Sequence, residues 1–308
     1  MSIINNIKSR ICKVEWGVAI RERESSSLFF EQYTTPSIFL PIQNSFRYWA
    51  ADPFVIDYKD KTFLFVELYD RIKRKGLIGY MDITKGPKNK FKVVYEANCH
   101  LSFPLCFIMD GELYSIPESN NIKKLLLLKW DSKKEVFEKI QSFMDGYCLA
   151  DSIFITKDEE TYMLTTVVTK EDNVSTLSLF KREGKEFIAS PLNPVVINKT
   201  TARNGGNIIL KNGTIYRVSQ DCSKGYGFAI NLMQIDKLSL DDYKETLVKK
   251  ILPSQINVKG VDYKDGIHTY NFNAKWEVID YKISHKFSLA ELIGYALCKL
   301  KVFKKIEK

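Results

Sequence analysis

Four acids stand at related places along this chain. Asp52 and Asp151 each open a phrase that runs from polar to apolar, and Glu67 and Glu118 each lie fifteen residues after a phrase-opening position, 52 and 103. Carboxylates gathered from distant segments can take and give protons at a sugar or phosphate centre. Arg203 opens a further phrase, Arg203-Asn204-Gly205-Gly206-Asn207. Its guanidinium is a planar fork suited to carboxylate or phosphate, and the two glycines permit close backbone approach. Arg217-Val218-Ser219-Gln220-Asp221 ends that phrase with four polar side chains in five. Gly225-Tyr226-Gly227 follows, a loop whose ring could stack on a sugar. His100 and His268, two of only three histidines, lie at other phrase openings. Each has a structural alternative: an Asp-Pro turn for Asp52, a strand cap for Asp151, an internal salt bridge for Arg203, a satisfied core position for either histidine. Glu118 follows an apolar strand, where an unpaired carboxylate is costly to bury, so it needs a partner, a ligand or solvent.

Residues so far apart need an architecture that brings them together, and a repeat supplies one. Ala51 to Glu67 reads as a polar start, an apolar run, a turn, a second apolar run and an acid. The same order returns from Ser102 to Glu118, from Asp151 to Thr166, and more loosely from Arg203 to Asp221. A spacing of about 50 residues is that of propeller blades. The turns Asp110-Gly111 and Asn212-Gly213, flanked by strand-forming residues, are strong hairpin signals. Segments between phrases, such as Gly76–Met81 and Lys124–Trp130, supply the outer strands. A weaker fifth unit covers 267–281, and a strand over 12–22 is placed to close the ring against the last blade. The expectation is an all-β, five-bladed β-propeller over 1–286, with the phrase openings converging on a central funnel.

Composition agrees with one packed body. Of 308 residues 45% are hydrophobic, with 19 Phe and 16 Tyr, enough to fill a large core. The six cysteines show no CxxC pair and no metal-like spacing with histidine, so buried free thiols in a reducing compartment are expected. No apolar run has the length of a membrane span or the form of a secretory signal, and the expected location is cytoplasmic. P-loop, GxGxxG, GxSxG, HExxH and zinc-finger spacings are absent. Nucleic acid is accordingly not the expected partner.

Beyond the repeat the pattern changes to a helix over 287–308. Ser288 and Glu291 form a capping box, Phe287 is placed to staple onto Leu292, and Leu289, Ile293, Ala296, Leu297, Leu300 and Phe303 recur at helical spacing. The net charge of +9 is concentrated here, in Lys299, Lys301, Lys304, Lys305 and Lys308. Such a helix either packs on the propeller or lies peripherally on an anionic membrane surface.

Six ordered motifs carry a resemblance: Trp49-Ala50-Ala51-Asp52-Pro53-Phe54-Val55, His100-Leu101-Ser102-Phe103-Pro104, Ile116-Pro117-Glu118-Ser119, Ala202-Arg203-Asn204-Gly205-Gly206, Gln220-Asp221 with Tyr226-Gly227, and His268-Thr269-Tyr270-Asn271. Together they resemble the N-terminal domain of plant glucosamine inositolphosphorylceramide transferase, over about 14–282 of this chain. Bacterial relatives of that domain occur among surface-polysaccharide genes. The resemblance implies a five-bladed propeller related to arabinanase-like and invertase-like glycoside hydrolases, in which Asp52 matches the base and Asp151 the supporting acid. Where those hydrolases carry a late Glu acid, this chain has Arg203.

An inverting hydrolase needs an acid for the leaving oxygen as well as a base for water. Transfer from a nucleotide-sugar needs a base and a cation for the departing diphosphate. The leading expectation is therefore a glycosyltransferase of surface-glycan synthesis acting on a glycan or lipid-linked acceptor. Its nucleotide-sugar is a substrate, and no cofactor or metal is assigned. Asp52, Glu118 and Asp151 are the expected catalytic residues. Glu67, His100, Arg203, Arg217, Gln220, Asp221, Tyr226, His268 and Asn271 are expected to bind substrate. A glycoside hydrolase using Asp52 and Glu118, or a glycan-binding propeller without catalysis, remain the alternatives.

Overall fold

Each phrase folds as the inner hairpin of a blade. The computed structural model describes residues 12–23, 28–30, 38–88 and 90–300. Four consecutive blades each run outward in chain order from their inner strands Tyr48–Tyr58, Ser102–Met109, Leu149–Lys157 and Asn204–Lys211. The apolar runs in these strands reflect burial on both faces between neighbouring blades, whereas the outer strand Asp242–Ile251 is largely exposed. Both predicted hairpin turns have two left-handed residues, Asp110 (φ 51°) with Gly111 (73°) and Asn212 (50°) with Gly213 (76°). That geometry matches the twist of the flanking strands.

The fifth blade closes the ring. Its inner strand Tyr270–Phe272 pairs with Trp276–Phe287, which pairs antiparallel with the N-terminal strand Cys12–Glu22; Ile38–Ile42 and Asn257–Val258 follow outside. Both ends of the described chain thus share one sheet, as the strand read over 12–22 implied.

Aromatic layers weld the blades. Phe63, Phe65 and Tyr80 of the first blade meet Trp130 and Phe137 of the second, with centroids 5.1–6.0 Å apart. Truncating a ring of this kind costs about 3–5 kcal/mol. Cys99, Cys106 and Cys222 are buried free thiols, while Cys148 and Cys298 are free and partly exposed.

The helix Leu289–Lys299 starts at Ser288, whose hydroxyl accepts the Glu291 amide at 3.3 Å. It packs on the turn after Asp70, but not through the apolar positions the periodicity singled out. Ala290, Glu291 and Gly294 are buried, and a Cβ on Gly294 would lie 2.2 Å from the Arg71 carbonyl oxygen. Small residues let the backbones approach, so Leu289, Ile293, Ala296 and Leu300 are left facing outward. The staple from Phe287, together with Phe303 and the lysines beyond 300, lies outside the described residues or side chains. Among the described residues no helix is long and apolar enough to cross a membrane.

Candidate active site

A bulge opens each inner strand. Register with the second strand slips between Ala51 and Phe54, Ser102 and Leu105, Ala150 and Ile153, and Asn204 and Ile208. In the first three blades the bulged residue is left-handed: Asp52 (φ 48°), Phe103 (42°) and Asp151 (48°). Aspartate tolerates this conformation better than most residues, and a bulge re-aims the side chain it carries. The register also corrects one correspondence. Ala51, Ser102, Ala150 and Asn204 are equivalent, opposite Glu67, Glu118, Thr166 and Ser219. Glu67 and Glu118 correspond as expected, but Arg203 stands two positions before its bulge and is not the counterpart of Asp52 and Asp151.

The bulge amides organise the acids. Asp280 Oδ2 accepts the Asp52 amide at 3.0 Å, Asp52 Oδ2 accepts the Phe103 amide at 3.0 Å, and Glu118 Oε2 accepts the Asp151 amide at 3.2 Å. Each carboxylate therefore holds the bulge of the next blade. Asp280 plays in the fifth blade the part of Glu118 in the second, a role the sequence reading missed because the fifth unit is short and shifted.

Asp52 is 4% exposed. Its Oδ1 accepts the Thr269 hydroxyl at 2.8 Å and lies 3.3 Å from His268 Nε2. Burial pushes the Asp52 carboxyl up to about 6; His268 and Thr269 pull against that rise, and Asp151 and Asp280 add to it. Burial alone would lower the His268 imidazole, but Asp280, 2.6 Å from Nδ1, and Asp52 outweigh it and hold the pKa above its ordinary value. The Trp16 ring stacks on His268 at 3.9 Å.

Asp52, His268 and Asp280 place donor atoms within 4.8 Å of one another, yet they fit proton sharing better than a cation. Asp280 Oδ1 already accepts the His268 and Thr269 amides, both at 2.9 Å, and both Asp52 oxygens are occupied as well. Lone pairs aimed at N–H and O–H donors are not turned toward a metal.

Arg203 ties the second and third blades to the fourth. Its Nε donates to Asp151 Oδ2 at 2.6 Å, Nη1 to the Asn173 carbonyl, and Nη2 to Glu118 Oε2 at 3.5 Å. Gln220 Nε2 donates to the same Asp151 oxygen at 2.9 Å. Burial raises the Glu118 carboxyl well above its ordinary value; the Asp151 charge adds to the rise and Arg203 opposes it. With all three nitrogens engaged, the guanidinium serves to neutralise two acids rather than to face a ligand phosphate.

Tyr226 forms the rim, 43% exposed, with its ring 5.2 Å from the Arg203 guanidinium and 5.3 Å from the His268 ring. Gly227 (φ 63°) permits this turn, since a Cβ there would lie 2.7 Å from Trp16. Lys282 Nζ donates to the Tyr226 carbonyl at 2.6 Å and sits 5.6 Å from the Trp16 ring. Burial lowers the Lys282 ammonium from its usual range.

The structure thus brings Asp52, Glu118, Asp151, Arg203, Gln220, Tyr226 and His268 into one network. Other expected substrate ligands have different partners. Arg217, fully buried, is bound by Glu245 Oε1 and Oε2 at 2.6 and 3.0 Å and by the carbonyls of Thr201 and Ala202. Asp221 pairs with Lys250 at 2.6 Å. Asn271 bridges the Pro53 carbonyl and the Asn207 amide, both at 2.8 Å, knitting three blades. His100 Nδ1 accepts the Gly76 amide at 2.9 Å, so its Nε2 carries a proton toward Glu67 Oε1, 3.3 Å away. Trp16, Thr269, Asp280 and Lys282 are residues of this network that sequence reasoning overlooked; Trp16 and Lys282 are partners in the closing sheet.

Comparison with known proteins agrees with this architecture. Among solved structures the fold is similar to the catalytic domain of the GH62 α-L-arabinofuranosidase of Coprinopsis cinerea, with TM-score 0.55 and 9% identity, covering 88% of this chain and 98% of that one. It is also similar to an α-L-arabinofuranosidase of Podospora anserina, with TM-score 0.52 and 8% identity, covering 90% and 99%. At such identity the likeness concerns fold alone. In sequence, glucosamine inositolphosphorylceramide transferase 1 of Arabidopsis thaliana is 30% identical over 249 residues, and its Oryza sativa subsp. indica counterpart 28% over 246. Those alignments cover 74% of this chain but only 30% and 31% of the plant proteins. Residues 42–281 match the family described as glucosamine inositolphosphorylceramide transferase 1, N-terminal, and with most of its propeller inside that match this chain belongs to that family.

Proposed function

We propose that the funnel is the active site of a carbohydrate-active enzyme that transfers a sugar from a nucleotide-sugar to a glycan or lipid-linked acceptor, as surface-glycan assembly requires. The observation that carries the reading is the setting of Asp52. Its carboxylate is buried, held on both oxygens, raised to about 6 and placed beside an imidazole that Trp16 covers. A base of that strength is ionised at neutral pH and retains affinity for a proton, which suits removal of a hydrogen from an acceptor hydroxyl. His268 stabilises the ionised base before transfer and shares the proton afterwards, with Asp280 fixing the ring. Tyr226, exposed beside the buried acids, offers a face for a sugar. At the rim, half-buried Lys282 takes the charge-stabilising part that the sequence reading gave to Arg203, beside the diphosphate as it leaves.

A second reading rests on Glu118. Its raised carboxyl is what the general acid of a glycoside hydrolase needs. Thermal-shift screening of nucleotide-sugars against neutral oligosaccharides separates the two, because a ligand that binds only the folded state raises its melting temperature. The transferase reading expects a shift with a nucleotide-sugar and none with oligosaccharide alone. Shifts with oligosaccharides only, and hydrolysis lost in Glu118→Gln, would replace it with the hydrolase.

A further inference from the structure

The geometry points to a docking surface for an anionic phospholipid bilayer, built from the C-terminal helix on the same end of the propeller as the funnel. Leu289, Ile293, Ala296 and Leu300 form a stripe at i, i+4, i+7 and i+11, and Leu289, Ile293 and Leu300 are 53%, 39% and 73% exposed. The stripe faces outward because small Ala290 and Gly294 take the contact with the propeller. Glu291, the one acid between 289 and 300, is buried, so the described helix shows no carboxylate to an approaching anionic surface. The sequence then supplies Lys299, Lys301, Lys304, Lys305 and Lys308 against a single Glu307. In sequence, an apolar stripe followed by a lysine-rich run is the charge and hydropathy pattern of interfacial attachment.

Position adds a second argument. The helix rests on the turn that follows Asp70, the end of the first blade at which Asp52 opens the inner strand. Beside its first turn lies a cavity of about 670 Å³ with a mixed lining, Phe46, Val261 and Leu289 beside the basic Arg71 and Lys259, and Trp16 forms part of its wall. Phe46 is itself 60% exposed. Trp16 also stacks on His268, so the cavity beside the helix and the funnel share one residue. The surface does not depend on the catalytic reading.

Co-sedimentation of the full chain with vesicles tests this. Phosphatidylcholine vesicles containing about a third phosphatidylglycerol are compared with pure phosphatidylcholine, for the native chain and an Ile293→Ser/Leu300→Ser double variant. Both positions are exposed, so the variant should keep the native melting temperature, which is measured alongside. The expected result is binding to the anionic vesicles that falls at least tenfold in the variant and weakens as salt rises. Absence of binding to anionic vesicles, or equal binding by the double variant, overturns the proposal. So does light scattering that shows a native dimer which the variant dissolves, because the stripe would then be an interface between two copies.

Discussion

Removing the cation between Glu118 and Asp151 gives the sharpest test of how the site holds together. Arg203→Met deletes the guanidinium and keeps much of its apolar stem, leaving two buried carboxylates, 8% and 3% exposed, with Asp52 close by. Breaking a buried ion pair by removing one partner costs about 3–5 kcal/mol. With an unfolding entropy of roughly 2.1 cal/mol/K per residue and 308 residues, each kcal/mol corresponds to about 1.5 °C. The expected loss is therefore about 5–8 °C in melting temperature at pH 8. The pH dependence has a definite sign. Glu118 is already raised by burial, and losing Arg203 raises it further, so a proton on Glu118 relieves the variant more than the native chain. The deficit should shrink markedly between pH 8 and pH 5.5 in thermal unfolding followed by circular dichroism. Adding Glu118→Gln to Arg203→Met should recover part of it. A deficit under about 1 kcal/mol, or one equal at both pH values, would show that the guanidinium does not neutralise these acids.

Further outcomes are expected at three residues. Activity should fall as pH drops through about 6, where Asp52 takes its proton, and Asp52→Asn should lose about 10²- to 10⁴-fold in rate. Because that carboxyl is raised from 3.8, the folded state favours its protonated form; the associated stability is present below about pH 4 and lost as pH rises through about 6, so Asp52→Asn should melt higher than the native chain at pH 8. Tyr226→Ala should raise KM for the sugar substrate about 2- to 12-fold, the equivalent of one stacking contact of 0.5–1.5 kcal/mol, and Tyr226→Phe should restore most of it; an unchanged KM would remove Tyr226 from the rim. Arg217→Met should lower stability by about 3–5 kcal/mol while leaving KM alone, and a KM effect without thermal loss would return Arg217 to the substrate site.

The repeat made the fold legible because blades need the same local pattern each time: apolar runs buried on both faces, separated by a tight turn. The closing strand was readable for the same reason, since Cys12–Glu22 has strand character and no partner of its own in the sequence. Asp52, Glu118 and Asp151 were legible as acids placed where strands should be apolar. What failed was register. A bulge adds a residue without leaving a mark in composition, so Arg203 looked equivalent to Asp52 although two positions separate their places. Arg217 and Asp221 looked like ligands because they are polar on an inner hairpin, yet Glu245 and Lys250, from the outer strand of the same blade, satisfy them. Asp280 and Trp16 contribute through the sheet formed by the two ends, a pairing over more than 250 residues that periodicity does not encode. The helix was found by its cap and its spacing, but which face packs depended on Ala290 and Gly294, whose contribution is an absence of side chain.

Ring closure has a bearing on when the surroundings of Asp52 are complete. Asp52 is made early in synthesis, yet the carboxylate that holds its amide, Asp280, and the hydroxyl and imidazole on its side chain, Thr269 and His268, are all translated more than 200 residues later. A chain with four finished blades would carry Asp52 without the groups that set its proton affinity. That environment is completed in the closing blade, where Trp276–Phe287 pairs with Cys12–Glu22. The seam therefore sets the electrostatics of a residue more than 200 positions away in the chain.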